Sequence, residues 1–238
     1  MLTSELYKYF KESSSVSTDT RLIKKGSIFF ALKGENFDGN KFAEEAINNG
    51  ASYAIIDDHS LNNPKFIKVK NALKSLQDLS NFHRSKFLKT KIIALTGSNG
   101  KTTTKELISE VLKKKYRIIS TIGNLNNHIG VPLTLLRIKS DTEIAIVEMG
   151  ANHLNEIKFL TELINPDFGL ITNFGKAHLE GFGSIEGVIK GKSELFDFLI
   201  NNNKKAFINN DDHIQNQFVG NKISFSSKGK SNYIFKEV

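Results

Sequence analysis

The run Leu95-Thr96-Gly97-Ser98-Asn99-Gly100-Lys101-Thr102-Thr103-Thr104 stands between an apolar stretch and one with helical periodicity. A glycine-rich turn ending in Gly-Lys-Thr at such a junction calls for a strand, a tight loop and a helix whose first N–H groups face an anion. Gly97 and Gly100 permit the turn, Lys101 can neutralise β- and γ-phosphates, and the Thr102 hydroxyl can reach a Mg²⁺ ion. The ordinary phosphate-loop pattern asks for a glycine five positions before Gly100, where this chain has Leu95, so the loop is a shortened form. The bland alternative is a strand-to-helix turn capped by threonine.

The rest of the chain supports the loop's setting. From residue 91 on, strand-like segments (91–95, 117–121, 143–149, 168–173, 205–209, 223–225) alternate with helix-like ones (102–115, 130–136, 154–164, 185–200). Such alternation predicts a mostly parallel sheet covered by helices. Earlier, residues 26–33 and 52–56 read as strands, 40–49 as a short helix ended by Gly50, and 71–84 as a helix. The expected organisation is α/β throughout. A small N-terminal α/β domain spans residues 1–85, and a P-loop ATP-binding domain spans 86–238, with the break near residues 58–90.

Composition excludes several classes. With 39% hydrophobic residues the chain can build cores, and without cysteine it has neither disulfides nor thiolate metal sites. No 18-residue apolar run and no leader pattern is present, so the expectation is a cytoplasmic chain without membrane insertion. The net charge of +8 favours anionic partners, but only Arg21, Arg84, Arg117 and Arg137 carry guanidinium groups. Base-reading surfaces depend on that fork, so nucleic acid is not an expected partner.

Three further residues stand where chemistry could use them. Glu148 ends a strand, at the edge where parallel sheets bind ligands, and could hold Mg²⁺ or simply meet solvent. His178 follows the next strand at the same edge, although a lone loop histidine is usually only solvated. On a helical wheel Lys192 falls inside the stripe formed by Ile185, Val188, Ile189, Leu195, Phe196 and Leu199, whereas Lys190 falls opposite. A lysine in that position must snorkel, find a counter-charge or lose its own charge.

The segment TGSNGKTTT resembles the ATP loop of Mur ligases and folylpolyglutamate synthetases. Residues 19–21, 29–39, 121–136, 147–152 and 173–184 are similar to further Mur ligase signatures, in order along the chain. They look most like the branch of peptidoglycan synthesis that adds D-alanyl-D-alanine to a UDP-MurNAc-tripeptide. The resemblance implies an ATP-dependent amide-forming ligase with ATP on Gly97, Ser98, Asn99, Gly100, Lys101, Thr102 and Thr103. It implies Mg²⁺ on Thr102, Glu148, His178 and a carbamylated Lys192, with Lys101, Lys192 and His178 as catalytic groups. Thr20 and Arg21 would lie near the uridine diphosphate, Asn126 and Asn127 would line the substrate side, and the protein would be a monomer. The substrate would be held between the two domains. His128 stands where relatives often carry an acidic residue and is given no role. Full members carry a third, Rossmann-like domain that brings the incoming amine. The expectation for this chain is an incomplete central domain and nucleotide binding without ligation. A sister ligase, a folylpolyglutamate synthetase and a nucleotide-binding module without ligation remain as alternatives, and the third residue of the tripeptide stays open.

Overall fold

The computed structural model describes residues 1–235, so the last three residues of the expected 86–238 domain lie outside the described residues. The chain divides into two units, Met1–Phe87 with Leu135–Arg137, and Leu88–Thr134 with Ile138–Val238.

In the first unit the strands β1 (Val16–Ser17), β2 (Ile28–Phe30), β5 (Tyr53–Ile56) and β6 (Phe66–Lys68) form a parallel sheet in the order β1-β2-β5-β6. A hairpin of β3 (Lys33–Gly34) and β4 (Phe37–Asp38) intervenes. Every residue of β2 is buried, as an interior parallel strand requires. Helix α2 (Ala43–Asn48) packs on β5, where Ala43, Ala46, Ala51 and Ala54 close around Phe29 and Ile56. Helix α3 (Ala72–Ser85) is capped by Asn71, whose Oδ1 accepts from the Lys74 N–H at 2.7 Å. It packs on α1 (Thr3–Glu12), with Tyr7 edge-on to Phe82 at 5.1 Å. The expected strand over 26–33 stops at Phe30 because the chain turns into the hairpin. The expected helix over 40–49 opens as a 3₁₀ turn, Gly39–Phe42, whose cap Asp38 accepts from the Asn40 N–H at 3.0 Å.

The second unit contains β7 (Lys91–Thr96), α4 (Lys101–Leu112), β8 (Ile118–Ser120), α5 (Gly130–Leu135), β9 (Ile144–Glu148) and α6 (Glu156–Ile164). It continues with β10 (Phe168–Ile171), α7 (Leu179–Phe182), α8 (Ile185–Asn201), β11 (Lys205–Asn209), β12 (Lys222–Ser226) and β13 (Tyr233–Ile234). Among the described residues the sheet runs β13-β12-β11-β10-β7-β9-β8, with every neighbouring pair parallel. Helix α4 packs against β7, β8 and β9, while α8 packs against α6, β10 and β11.

The strand order positions the site. After β7 the chain moves outward to β8, returns to β9, then crosses β7 to reach β10 and continues the other way. The direction of winding therefore reverses between β7 and β10. Open parallel sheets bind ligands at such a switch point, beyond the carboxyl ends of the strands. The loops after β7, β9 and β10 all open there. Among the described residues no helix is long and apolar enough to cross a membrane.

The loop between β8 and α5 is held at its far end by contact with Gly130. Asn127 Oδ1 accepts from the N–H groups of Ile129 (3.0 Å) and Gly130 (2.9 Å), capping α5. A Cβ at Gly130 would lie 2.3 Å from the main-chain carbon of Leu125, which cannot rotate away. Gly130→Ala is expected to lower the unfolding free energy of the second unit by about 1–3 kcal/mol, read by urea denaturation.

Candidate nucleotide and metal site

The loop after β7 is built for close backbone approach. Gly97 adopts φ +144°, and a Cβ there would sit 1.9 Å from Thr172 Oγ1 on the segment after β10. Gly100 is the N-cap of α4 at φ +76°, where a side chain would meet nothing within 4 Å. The space before the helix is thus open, and the first N–H groups of α4 have no intrahelical acceptors. Their partial positive charge favours an anion.

Four hydrogen bonds involving side chains tie this loop to the segment following β10, beside the main-chain bond from the Ser98 N–H to Asn173 O at 3.0 Å. Ser98 Oγ donates to Gly175 O at 2.8 Å and Thr172 Oγ1 to Asn99 O at 2.7 Å. Asn173 Nδ2 donates to Asn99 O at 3.0 Å, and its Oδ1 accepts from the Asn99 N–H at 3.1 Å. Lys101 Nζ folds over the loop onto the carbonyls of Gly97 (2.8 Å) and Ser98 (3.1 Å). Burial lowers the Lys101 pKa, and Glu148 opposes that shift. At the loop's root Thr96 Oγ1 is buried without a hydrogen-bond partner. Such a hydroxyl costs about 1–3 kcal/mol, and polar groups left unsatisfied gather where ligands bind.

Glu148 is the buried centre of the site, at 1% exposure. Thr102 Oγ1 donates to its carboxylate at 3.0 and 3.2 Å, and Asn126 Nδ2 donates to Oε1 at 2.8 Å. Lys105 Nζ stands 3.9 Å from Oε2. The Glu148 main-chain N–H donates to Thr121 Oγ1 at 3.0 Å. These donors offset the loss of hydration that burial imposes on a carboxylate.

Lys192 does not snorkel. It is 1% exposed, its Nζ donates to Ala151 O at 3.2 Å, and it lies 5.2 Å from the centre of the Phe182 ring. Burial first, and Lys101 second, push its pKa down to about 8, against upward pulls from Glu156 and Glu194. Both carboxylates are engaged at the start of α6. Glu194 accepts from the N–H groups of Asn155 (2.7 Å) and Lys158 (2.8 Å), and Glu156 from those of Asn152 (2.6 Å) and His153 (3.1 Å). Lys190 is exposed, and so is Ile185, which begins α8 at the helix end.

The candidate metal ligands are therefore assembled only in part. Thr102 touches Glu148, and Lys192 lies within the electrostatic reach of Lys101. His178, at φ +53° on the N-cap of α7, places its Nδ1 3.7 Å from Glu180 Oε1. Among the described residues no three or more His, Cys, Asp and Glu side chains cluster as a cation site. Thr103 is exposed on the first turn of α4. Asn126 is engaged by Glu148 and Asn127 by its cap. Arg21 is turned onto Asp19, with Nε at 2.9 Å and Nη2 at 2.6 Å, and that hydrogen bonding holds the Asp19 carboxyl below its usual range. Thr20 O accepts from Asn49 Nδ2 at 3.2 Å. Sequence reasoning missed Lys105, Thr121, Thr172 and Asn173. The only available signal was the placement of Lys105 one helical turn after Lys101.

The chain matches two family descriptions: the Mur ligase middle domain over residues 95–237, and the Mur ligase family catalytic domain over residues 12–86. It is 39% identical over 227 residues to the UDP-N-acetylmuramoyl-tripeptide--D-alanyl-D-alanine ligase of Bacillus subtilis, covering 94% of this chain and 49% of that protein. The Escherichia coli ligase of the same description is 41% identical over 189 residues, covering 79% and 41%. Among solved structures, MurF from Acinetobacter baumannii matches with a TM-score of 0.82 at 30% identity, over 95% of this chain and 53% of that one. MurF ligase from Thermotoga maritima in complex with ADP matches with a TM-score of 0.80 at 30% identity, over 92% and 52%. The chain spans about half the length of the curated relatives it matches.

The buried Lys192 sets a pH dependence. Its folded pKa of about 8 lies below the ordinary lysine value of 10.5, so the unfolded chain holds the proton more tightly in that interval. The handicap to the folded state is full below about pH 8 and fades as pH rises towards 10.5. In CO₂-free buffer at about pH 7, Lys192→Met is expected to raise the unfolding free energy by about 2 kcal/mol. The gain should shrink when the same denaturation is repeated at about pH 10.

Proposed function

The chain belongs to the Mur ligase family, and from that premise we propose that it forms the nucleotide-binding, phosphoryl-transferring part of an ATP-dependent ligase. The reaction adds D-alanyl-D-alanine to a UDP-MurNAc-tripeptide during peptidoglycan precursor synthesis in the cytoplasm. The observation that carries this reading is the open, latched cradle of residues 97–100, closed on one side by Lys101 and on the other by the Thr102–Glu148 contact. The ADP bound by the Thermotoga maritima relative supports it.

In this reading the N–H groups at the start of α4 and the Lys101 ammonium hold the terminal phosphates. Thr102 and Glu148 offer the hard oxygen ligands that Mg²⁺ prefers. When bound, the cation would offset charge on the phosphoryl oxygens. His178 and Lys192 complete the proposed ligand set, Lys192 as a carbamate formed by its neutral amine and CO₂ with loss of a proton. The depressed Lys192 pKa supports this, because it raises the fraction of free amine at neutral pH. The tripeptide carboxylate attacks the γ-phosphorus, giving an acyl phosphate and ADP. The amine of D-alanyl-D-alanine then attacks the acyl carbon, and phosphate leaves. Thr20, Arg21, Asn126 and Asn127 are proposed on the side of the UDP substrate. For Arg21 this requires an anion that competes with Asp19.

Lys101→Ala is expected to weaken ATP binding at least about tenfold in calorimetry, since one charge-assisted contact to phosphate is lost while the backbone donors remain. Unchanged affinity would show that the loop is only a structural turn. For the carbamate, ¹³C NMR of protein equilibrated with ¹³C-bicarbonate should show a carbamate carbon that disappears in Lys192→Met and persists in Lys190→Ala. A spectrum without that resonance removes Lys192 from the ligand set.

A further inference from the structure

Lys105 is fully buried, and the proposed chemistry does not use it. It shares a face of α4 with Lys101, one turn further along. An ammonium has three protons to place, and a buried one is costly unless each finds an acceptor. Lys105 Nζ donates to Thr121 O at 2.7 Å and to Gly123 O at 3.1 Å, and Glu106 Oε1 lies 2.9 Å away. The nearer carboxylate oxygen of Glu148 is 3.9 Å off, so Lys105 supplies charge there rather than a direct hydrogen bond.

The two carbonyls belong to the turn after β8, and that turn leads directly to Glu148. Thr121 accepts the Glu148 main-chain N–H on its hydroxyl at 3.0 Å. Three residues past Gly123, Asn126 donates to Glu148 Oε1 at 2.8 Å, while its carbonyl accepts from the Gly150 N–H at 2.8 Å. The turn is thus fastened on one side to α4 through Lys105, and on the other to the end of β9 through Thr121 and Asn126.

We infer that Lys105 is a positioning residue for the metal site: by pinning the 121–123 turn to α4, it sets where Asn126 and Glu148 stand relative to Thr102. This rests on the reading of residues 97–103 as a Mg²⁺-nucleotide site. Removing the ammonium leaves the phosphate cradle and Lys101 in place but frees the support behind Glu148. The loss therefore falls on the metal-dependent part of nucleotide binding. A lysine that only stabilised the fold would weaken binding with and without metal alike, or neither.

The test is calorimetric titration of ADP into the 238-residue chain, once with a chelator and once with Mg²⁺. Wild type is compared with Lys105→Met, which fills the same space without donors, and with Lys105→Arg, which keeps charge and donors. The expected result for Lys105→Met is a loss of about tenfold in the gain that Mg²⁺ brings, at near-constant metal-free affinity. Lys105→Arg should recover part of that gain. A full Mg²⁺ gain in folded Lys105→Met, or an equal loss with and without metal, overturns the inference. If Lys105→Met fails to fold by circular dichroism, Asn126→Ala takes its place, and an undiminished Mg²⁺ gain in that variant overturns it. Wild-type protein showing no Mg²⁺ gain overturns the parent reading as well, so the two failures are told apart.

Discussion

A carboxylate taken out of water must be met by donors, and the Glu148 carboxylate is met from two separate segments. Thr102 donates from the first turn of α4 and Asn126 from the loop after β8, while Thr121, just past β8, accepts the Glu148 main-chain N–H on its hydroxyl. None of these segments is close to Glu148 in sequence, so satisfying this one group fixes the relative positions of the helix, the loop and the central strand. The parallel order of β8, β9 and β7 makes the convergence possible, because it delivers all their carboxyl ends to one edge of the sheet. Once that edge is assembled, the phosphate loop is held on its other side by Thr172 and Asn173, which arrive from β10.

Much of the architecture was legible in the sequence, since parallel strands and their helices announce themselves by apolar runs and periodicity. The strands over 91–95 and 205–209 and the helices over 130–136 and 185–200 fall within a residue of the observed elements. What was not legible has physical causes. Strands β1 and β13 are two residues long, too short for any pattern, and α7 is a single turn. Helix α1 buries only Leu6 fully, so its apolar signal is weak. The hairpin of β3 and β4 was hidden because Ala31 and Leu32 continue the apolar run up to the turn.

The site was legible where chemistry depends on residue type and hidden where it depends on convergence. Lys192 stood out because a cation inside an apolar stripe is costly, and the structure removes one of its options, since the amine is buried and bonded to a carbonyl. Lys105 is buried more completely, yet its one mark in the sequence was its place a helical turn after Lys101, because lysine on a helix next to Glu106 reads as an ordinary solvated pair. Its acceptors are main-chain oxygens sixteen and eighteen residues away, brought close only by the fold. Asn126 and Asn127 were singled out for substrate. Their side chains also hold Glu148 and cap α5, and the first is a contact between segments that only the fold brings together.

The two glycines of the phosphate loop face different histories under mutational drift. Position 100 is closed to most residues by backbone handedness alone, because its side-chain space is empty. Asparagine enters the left-handed region at modest cost, but its side chain would extend into the open space before α4 that the proposed phosphates need. Position 97 is barred twice, by a φ of +144° that residues with a side chain rarely adopt and by Thr172 Oγ1 standing where a first carbon would go. Shrinking Thr172 lifts only the second bar and breaks its bond to Asn99 as it does so. Two identical letters in the same short loop are thus held by different constraints, one by handedness and the space a ligand needs, the other by handedness and a neighbouring side chain.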